Sequence, residues 1–233
     1  MNYLKLSLRS IVLILVFLCK RCDTEAQVQV HQEPRHHPVF QNDQIRILNV
    51  LLPPGDTTQY HLHHTPSVFI YFTNTLTGSQ LQGGTASTGR NIAGRIQFEN
   101  LAAPHTRVHR VWNIDKDTMH VIDVELLFKD SGFVQKPLAL PGLTLVIDTT
   151  WARAYRLTLL KGNNCMLSNK DRSLIFISMD ASTIQTRQNG KTNDQTLKPG
   201  SFFEIKRNHS FSLKNTCDKT IQFVLLELPV AML

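Results

Sequence analysis

The sequence predicts an all-β protein built from two tandem units, and three observations carry that expectation. First, beyond its N-terminal segment the chain has almost no stretch with sustained 3.6-residue hydrophobic periodicity. Second, it has many short runs rich in Val, Ile, Leu and Phe, bounded by Gly, Pro, Asn and Asp, the pattern of short strands in a sandwich or barrel. Third, those runs recur at an offset of about 105 residues, which marks a duplication.

The N-terminus is set apart from the fold. Lys5 and Arg9 precede a short apolar run from Ile11 to Cys19, and Thr24-Glu25-Ala26 offers small residues suited to cleavage. Residues 1–26 therefore read as a signal peptide, and the mature chain is expected to be exported, periplasmic or extracellular. Lys20 and Arg21 directly follow the apolar run, so an uncleaved short anchor is the alternative. The run is too short for a stable membrane span, which needs roughly 20 apolar residues. Neither Cys19 nor Cys22 follows the small residue that a lipidation signal requires.

With 233 residues, 42% of them hydrophobic, the chain can support one large β domain or two small ones. Removing residues 1–26 takes away four basic and two acidic side chains, so the formal charge of +7 falls to about +5. The remaining Lys and Arg are scattered, without a basic block or stacking aromatics, and no nucleic-acid partner is expected. Cys165 and Cys217 form an even pair in an exported chain, which suggests a disulfide; two separate thiols are the other reading.

The strand runs are Ile45 to Leu52, Val68 to Phe72, His120 to Phe128, Tyr155 to Leu160, Leu174 to Met179 and Ile221 to Leu228. Ile45–Leu52 with the following Gly55 parallels Tyr155–Leu160 with Gly162. Val68–Phe72 parallels Leu174–Ile177, Gly94–Glu99 parallels Gly200–Glu204, and His120–Leu126 parallels Ile221–Glu227. The expected units are 27–133 and 138–233, joined by a linker near Lys129 to Pro141 with Gly132, Pro137 and Pro141. The glycine-rich stretch Gly83 to Gly89 lacks the Lys-Ser/Thr ending of a phosphate-binding loop and reads as a hairpin connection.

Five residues after Gly55 comes His61-Leu62-His63. Alternate residues of a strand share a face, so His61 and His63 project together, about 7 Å apart. A third imidazole comes from His109. Three neutral imidazoles converging inside a barrel suit one divalent transition ion (Fe, Mn, Zn, Ni or Cu), with positions left for water or substrate. His31, His36 and His37 precede the first strand and read as a solvated N-terminal arm, able at most to form a lid or bind a second metal weakly.

These residues resemble a known pattern. Gly55-x5-His61-x-His63 is similar to the first half of the first motif of the cupin superfamily. Pro104-His105-Thr106-Arg107-Val108-His109-x3-Asn113 looks like its second motif, with Thr106 where Gly is usual. The resemblance covers residues from about 35 to 230 and implies two jelly-roll units, a bicupin, with His61, His63 and His109 as metal ligands.

Two departures follow. The glutamate ligand of the motif would fall at Ser67 or Val68, so the site is either a three-His centre or takes help from Gln59 or His64. His64 points to the opposite face unless the strand is bulged there. Loss of the carboxylate leaves the full charge of the ion, which favours an anionic ligand. In the second unit the counterparts are Ser168, Lys170 and Phe211, with Asn215 matching Asn113; no site survives there, and that half would serve packing, pocket shaping or a homodimer. Gln59, Tyr71 and Arg95 are candidate substrate contacts. The expected function is an exported metal-binding cupin, a mononuclear dioxygenase or lyase/isomerase acting on a small molecule, or alternatively a non-catalytic binder of a small ligand.

Overall fold

The computed structural model describes residues 28–169, 172–188, 190–205 and 209–229. The segment read as a signal peptide lies outside the described residues. None of the helices among the described residues is long and apolar enough to cross a membrane.

The described residues form eighteen strands. In the first half, β1 (His36–Gln41), β2 (Ile45–Leu52), β4 (Ser67–Tyr71), β7 (Ile96–Glu99) and β9 (Met119–Leu126) form a sheet in the order β1-β2-β9-β4-β7. Facing it are β3 (His61–His63), β5 (Leu76–Leu81), β6 (Ala86–Arg90) and β8 (Arg107–Asn113), in the order β3-β8-β5-β6. The second half repeats this. Strands β10 (Leu143–Asp148), β11 (Arg153–Leu159), β13 (Ser173–Ser178), β16 (Phe202–Ile205) and β18 (Ile221–Leu228) run in the order β10-β11-β18-β13-β16. Strands β12 (Asn164–Asn169), β14 (Ser182–Gln188), β15 (Lys191–Leu197) and β17 (His209–Asn215) run in the order β12-β17-β14-β15. The fold is thus all-β, two tandem jelly-roll units, and the Gly83–Gly84 turn joins the β5–β6 hairpin, whose second strand takes in Ala86 to Gly89.

Details repeat as well. The first strand of each half carries an irregularity at the same place, between Pro38 and Phe40 and between Leu145 and Ile147. Arg46 pairs with the buried Glu125, and Arg153 with the buried Glu227, at matching cross-strand positions. Asn113 Nδ2 donates to the Leu52 and Asp117 carbonyls, and Asn215 Nδ2 to those of Leu159 and Lys219, so each asparagine ties a loop to its barrel.

Alternation along β2 and β9 explains the packing. Ile45, Ile47, Ile122, Val124 and Leu126 point away from their own barrel and meet Ala154, Ile175, Ile177, Val224 and Leu226 of the second half in one buried cluster. Each fully buried aliphatic side chain there is worth about 1.5–3 kcal/mol of transfer free energy. The opposite faces, Leu48, Val50, Leu52, Met119 and Val121, line the inside of the first barrel.

Between the halves, residues 127–142 carry no strand but are held down. Arg153 and Arg172 donate to the carbonyls of Gln135 and Lys136, and the Leu138 amide donates to the Tyr155 hydroxyl. The expectation of a disulfide is not met: Cys165 is a buried free thiol, pushed up to about 11 by burial, and Cys217 is also free. Its sulfur instead accepts the Thr183 amide.

Among the described residues, the second barrel has no counterpart of the histidines. His61 pairs with His109, whereas the residue opposite Phe211 is Leu167. The counterparts of His61 and His63 are therefore Leu167 and Asn169, one residue before the Ser168 and Lys170 expected by counting from Gly162; Lys170 itself lies outside the described residues. The difference arises in the first unit. Thr57 lies opposite Trp112 and His61 opposite His109, so four steps on one strand face three on the other. This is a bulge, and the Thr58 hydroxyl accepts the Val111 amide within it. Leu167 and Phe211 are buried among Phe176, Phe203 and Leu213, filling the second barrel with apolar side chains.

Candidate metal centre

His61 and His63 leave β3 on its inward face and are 0% and 3% exposed, while His64 is exposed. His109 comes from the neighbouring β8 in direct cross-strand register with His61. The rings of His61 and His109 are 4.7 Å apart between centroids, those of His61 and His63 5.0 Å, and those of His63 and His109 5.1 Å. All three sequence-derived ligands thus face one cavity of about 220 Å³.

The hydrogen bonds define which ring nitrogens are free. His61 Nδ1 lies 2.9 Å from the Gln59 carbonyl, an obligate acceptor, so Nδ1 carries the proton and Nε2 presents its lone pair. That lone pair meets His63 Nε2 at 3.1 Å. With both Nε2 atoms bare the contact is repulsive; a proton or a cation between them relieves it. His63 Nδ1 is buried without a hydrogen bond, 3.8 Å from the equally buried Asp123 carboxylate, whose oxygens are also without one. Such orphaned groups call for an explanation. An ion held by the Nε2 atoms would place the His63 proton on Nδ1, facing Asp123. The donor set therefore fits a divalent transition ion.

Burial makes the imidazoles good ligands. Desolvation, followed by the charge of His36, lowers His61 to about 4; desolvation, then His61 and Arg107, lowers His109 to about 3. His63 is held well below its ordinary value by burial and then by His61 and His109. All three are neutral at pH 7, as metal ligation requires. Asp123 moves the other way, raised well above the usual carboxylate range by burial and then by Glu125.

These shifts predict a pH dependence for the metal-free protein. The unfolded chain binds three more imidazole protons below pH 6.5, the ordinary histidine value, so that stability is present above it and lost as pH falls toward the folded values. Asp123 opposes this with a single proton, its contribution fading as pH rises. The imidazoles win, and melting between pH 7 and 5 should show Tm falling on the order of 5 °C per pH unit. A flat or rising profile would contradict buried neutral imidazoles.

The rest of the cavity follows from alternation. Val121 and Asp123 of β9, Phe69 and Tyr71 of β4, Arg107 and Val111 of β8, Thr77 and Ser79 of β5 and Glu99 of β7 all reach it. Arg107 is held by Glu99 at 2.5 Å. Burial, then the Glu99 charge, raises the Tyr71 phenol. Of the candidate substrate contacts only Tyr71 lines the cavity. Gln59 is exposed and serves through its backbone, and Arg95 stands outside, over the Tyr71 ring. At the motif's glutamate position, Ser67 points inward and Val68 into the contact between the units.

The sequence suggested a solvated N-terminal arm carrying His31, His36 and His37 ahead of the first strand; instead His36 and His37 open β1, and the segment before them is docked. The Leu62 amide donates to the Val28 carbonyl, Val30 is fully buried in the first barrel's core, and His36 is 7% exposed. His36 lies 4.6 Å from His61 between ring centroids and lines the same cavity, whereas His37 is exposed. One ring nitrogen from each of His36, His61 and His63 lies within 4.8 Å of the others. Sequence reasoning missed His36, Asp123 and Arg107. Alternation with Val121 and His109 could have found the last two; nothing local marks His36.

No family model matches the sequence, and no curated protein matches it. Among solved structures the chain is similar to salicylate 1,2-dioxygenase from Pseudoaminobacter salicylatoxidans in its adduct with gentisate, at 13% identity and a TM-score of 0.59 over 94% of this chain and 79% of that one. It is similar to oxalate decarboxylase from Lactobacillus farciminis in a formate complex, at 10% identity and a TM-score of 0.57 over 88% and 80%. A cupin 2 conserved barrel domain protein from Leptotrichia buccalis matches at 9% identity and a TM-score of 0.51 over 82% and 86%.

Proposed function

We propose that this chain, which has the cupin fold, is an exported mononuclear metal-dependent enzyme acting on a small anionic molecule inside its first barrel. The observation that carries the reading is the convergence of three neutral imidazoles, His61, His63 and His109, on one cavity with an orphaned His63–Asp123 pair beside it. Bound there, a divalent ion supplies Lewis acidity, or as iron a redox partner for dioxygen. The protein's own groups do the rest. Arg107, fixed by Glu99, gives the wall a guanidinium that attracts a carboxylate or enolate. Asp123, whose hold on a proton burial strengthens, and the Tyr71 phenol stand on the same wall as groups that can hold or pass a proton. Val50, Phe69, Val111, Met119 and Val121 supply an apolar lining that excludes bulk water.

Elemental analysis of the purified chain should find about one transition ion per chain, and His109→Ala should lose it. Equal metal content in both would sink the site. Dioxygen uptake by the iron-loaded protein over a panel of small carboxylates, diketones and thiols should identify a substrate. Silence there, with saturable binding of a carboxylate, would favour the non-catalytic alternative. Export rests on the pattern of residues 1–26, and N-terminal sequencing of secreted protein should find Gln27 at or near the first position.

A further inference from the structure

Glu33, in the turn before β1, is 2% exposed and hydrogen-bonded on both carboxylate oxygens. Its Oε2 accepts the Arg35 amide at 2.8 Å and faces His36 Nδ1 at 2.7 Å; its Oε1 accepts the Gln59 amide at 3.1 Å. The Gln59 carbonyl in turn takes the His61 Nδ1 proton. One buried carboxylate thus fixes two imidazoles, one directly and one through the backbone of a single residue, Gln59. Burial alone would raise Glu33, but the hydrogen bond and charge of His36, with the Arg35 and Gln59 amides, hold it below the usual range. It is an anion at neutral pH.

We propose that His36 is a fourth nitrogen ligand of the first-barrel centre, delivered by the N-terminal segment and oriented by Glu33. The inference rests on the metal-binding reading above and adds a ligand to it. His36 Nδ1 is committed to Glu33, so Nε2 is the free donor, and a ring nitrogen of His36 stands within 4.8 Å of one from His61 and one from His63. Glu33 also answers the charge problem left by Ser67. A dication among neutral imidazoles lacks a counter-charge, and a carboxylate one imidazole away supplies it while fixing the orientation of the His36 ring. The anion absent from the inner ligand set is present one shell further out.

The test is two-bond ¹⁵N–¹H correlation of the full chain, labelled at its histidine ring nitrogens, before and after adding zinc. His36 Nε2 should leave the free-imine region together with Nε2 of His61 and His63 and a ring nitrogen of His109. A His36 that keeps its metal-free resonances while the other three respond overturns the proposal. Failure of all four to respond would instead overturn the metal site itself, so the two failures are distinguishable. Zinc competition titrations give a second readout. His36→Gln keeps a donor for Glu33 but no ring nitrogen, and should bind zinc about 10–100-fold more weakly. Glu33→Gln should weaken binding by about 10-fold or more with all four ring nitrogens still responding. Wild-type affinity in a folded His36→Gln variant would overturn the assignment.

Discussion

Replacing His61 by alanine is expected to abolish tight metal binding, weakening it by at least about 100-fold, while leaving the metal-free protein folded. His61 is the hub of the cluster: its ring is 4.6 Å from His36, 5.0 Å from His63 and 4.7 Å from His109. Losing it removes a donor and breaks the link through which Gln59 and Glu33 orient the site. The metal-free protein should not suffer in proportion. With both rings neutral, truncation removes one hydrogen bond between the His61 and His63 Nε2 atoms at 3.1 Å, the Nδ1 bond to Gln59 and some packing, a cost of about 1–3 kcal/mol that leaves the fold in place. Differential scanning calorimetry separates the effects. Wild type with zinc at 100 times its Kd should gain about 2.7 kcal/mol, or roughly 5–10 °C in Tm, and His61→Ala at the same zinc concentration should gain no more than about 0.4 kcal/mol, or about 1 °C. An equal zinc-induced shift in both would show that the ion binds elsewhere.

Phe176→Ala should do the reverse: it should destabilise the fold heavily and leave zinc affinity unchanged. Phe176 is fully buried, stacked on Phe203 at 5.2 Å and packed against Phe211 at 5.5 Å and Phe223 at 6.0 Å. This aromatic cluster occupies the second barrel where the first holds histidines and a cavity. Truncating it costs about 3–5 kcal/mol, or roughly 10 °C in Tm for a chain of this size. A drop below 2 °C would mean that the barrel is loosely packed; a large loss of zinc affinity would mean that the halves are coupled through their shared sheet face.

The sequence disclosed the strands where apolar runs and turn residues agreed: β2 and β18 fall on the residues expected, and β4, β9, β11 and β13 within two of them. The three histidines were legible because strand alternation and the Gly, Pro and Asn spacings pointed to one face. His36 was not, because it opens β1, a strand that no apolar run marks, and its inward aim is set by pairing opposite Val50 of β2. Asp123 and Arg107 sat in plain view as polar residues on inward positions of apolar strands. The second unit was read one residue out of register because counting from Gly162 assumes equal strand lengths, and the two units differ by one residue just there.

That extra residue between Thr57 and His61 is absorbed by the bulge, so the strand beyond it keeps its faces. The second unit is one residue shorter at the same place, and Leu167 still lies opposite Phe211 and still turns into its barrel. A difference of one residue in length has therefore left the ligand positions where they are in the sheet. What separates the two barrels in chemistry is which side chains occupy matching places: imidazoles in one, Leu167 and Phe211 in the other.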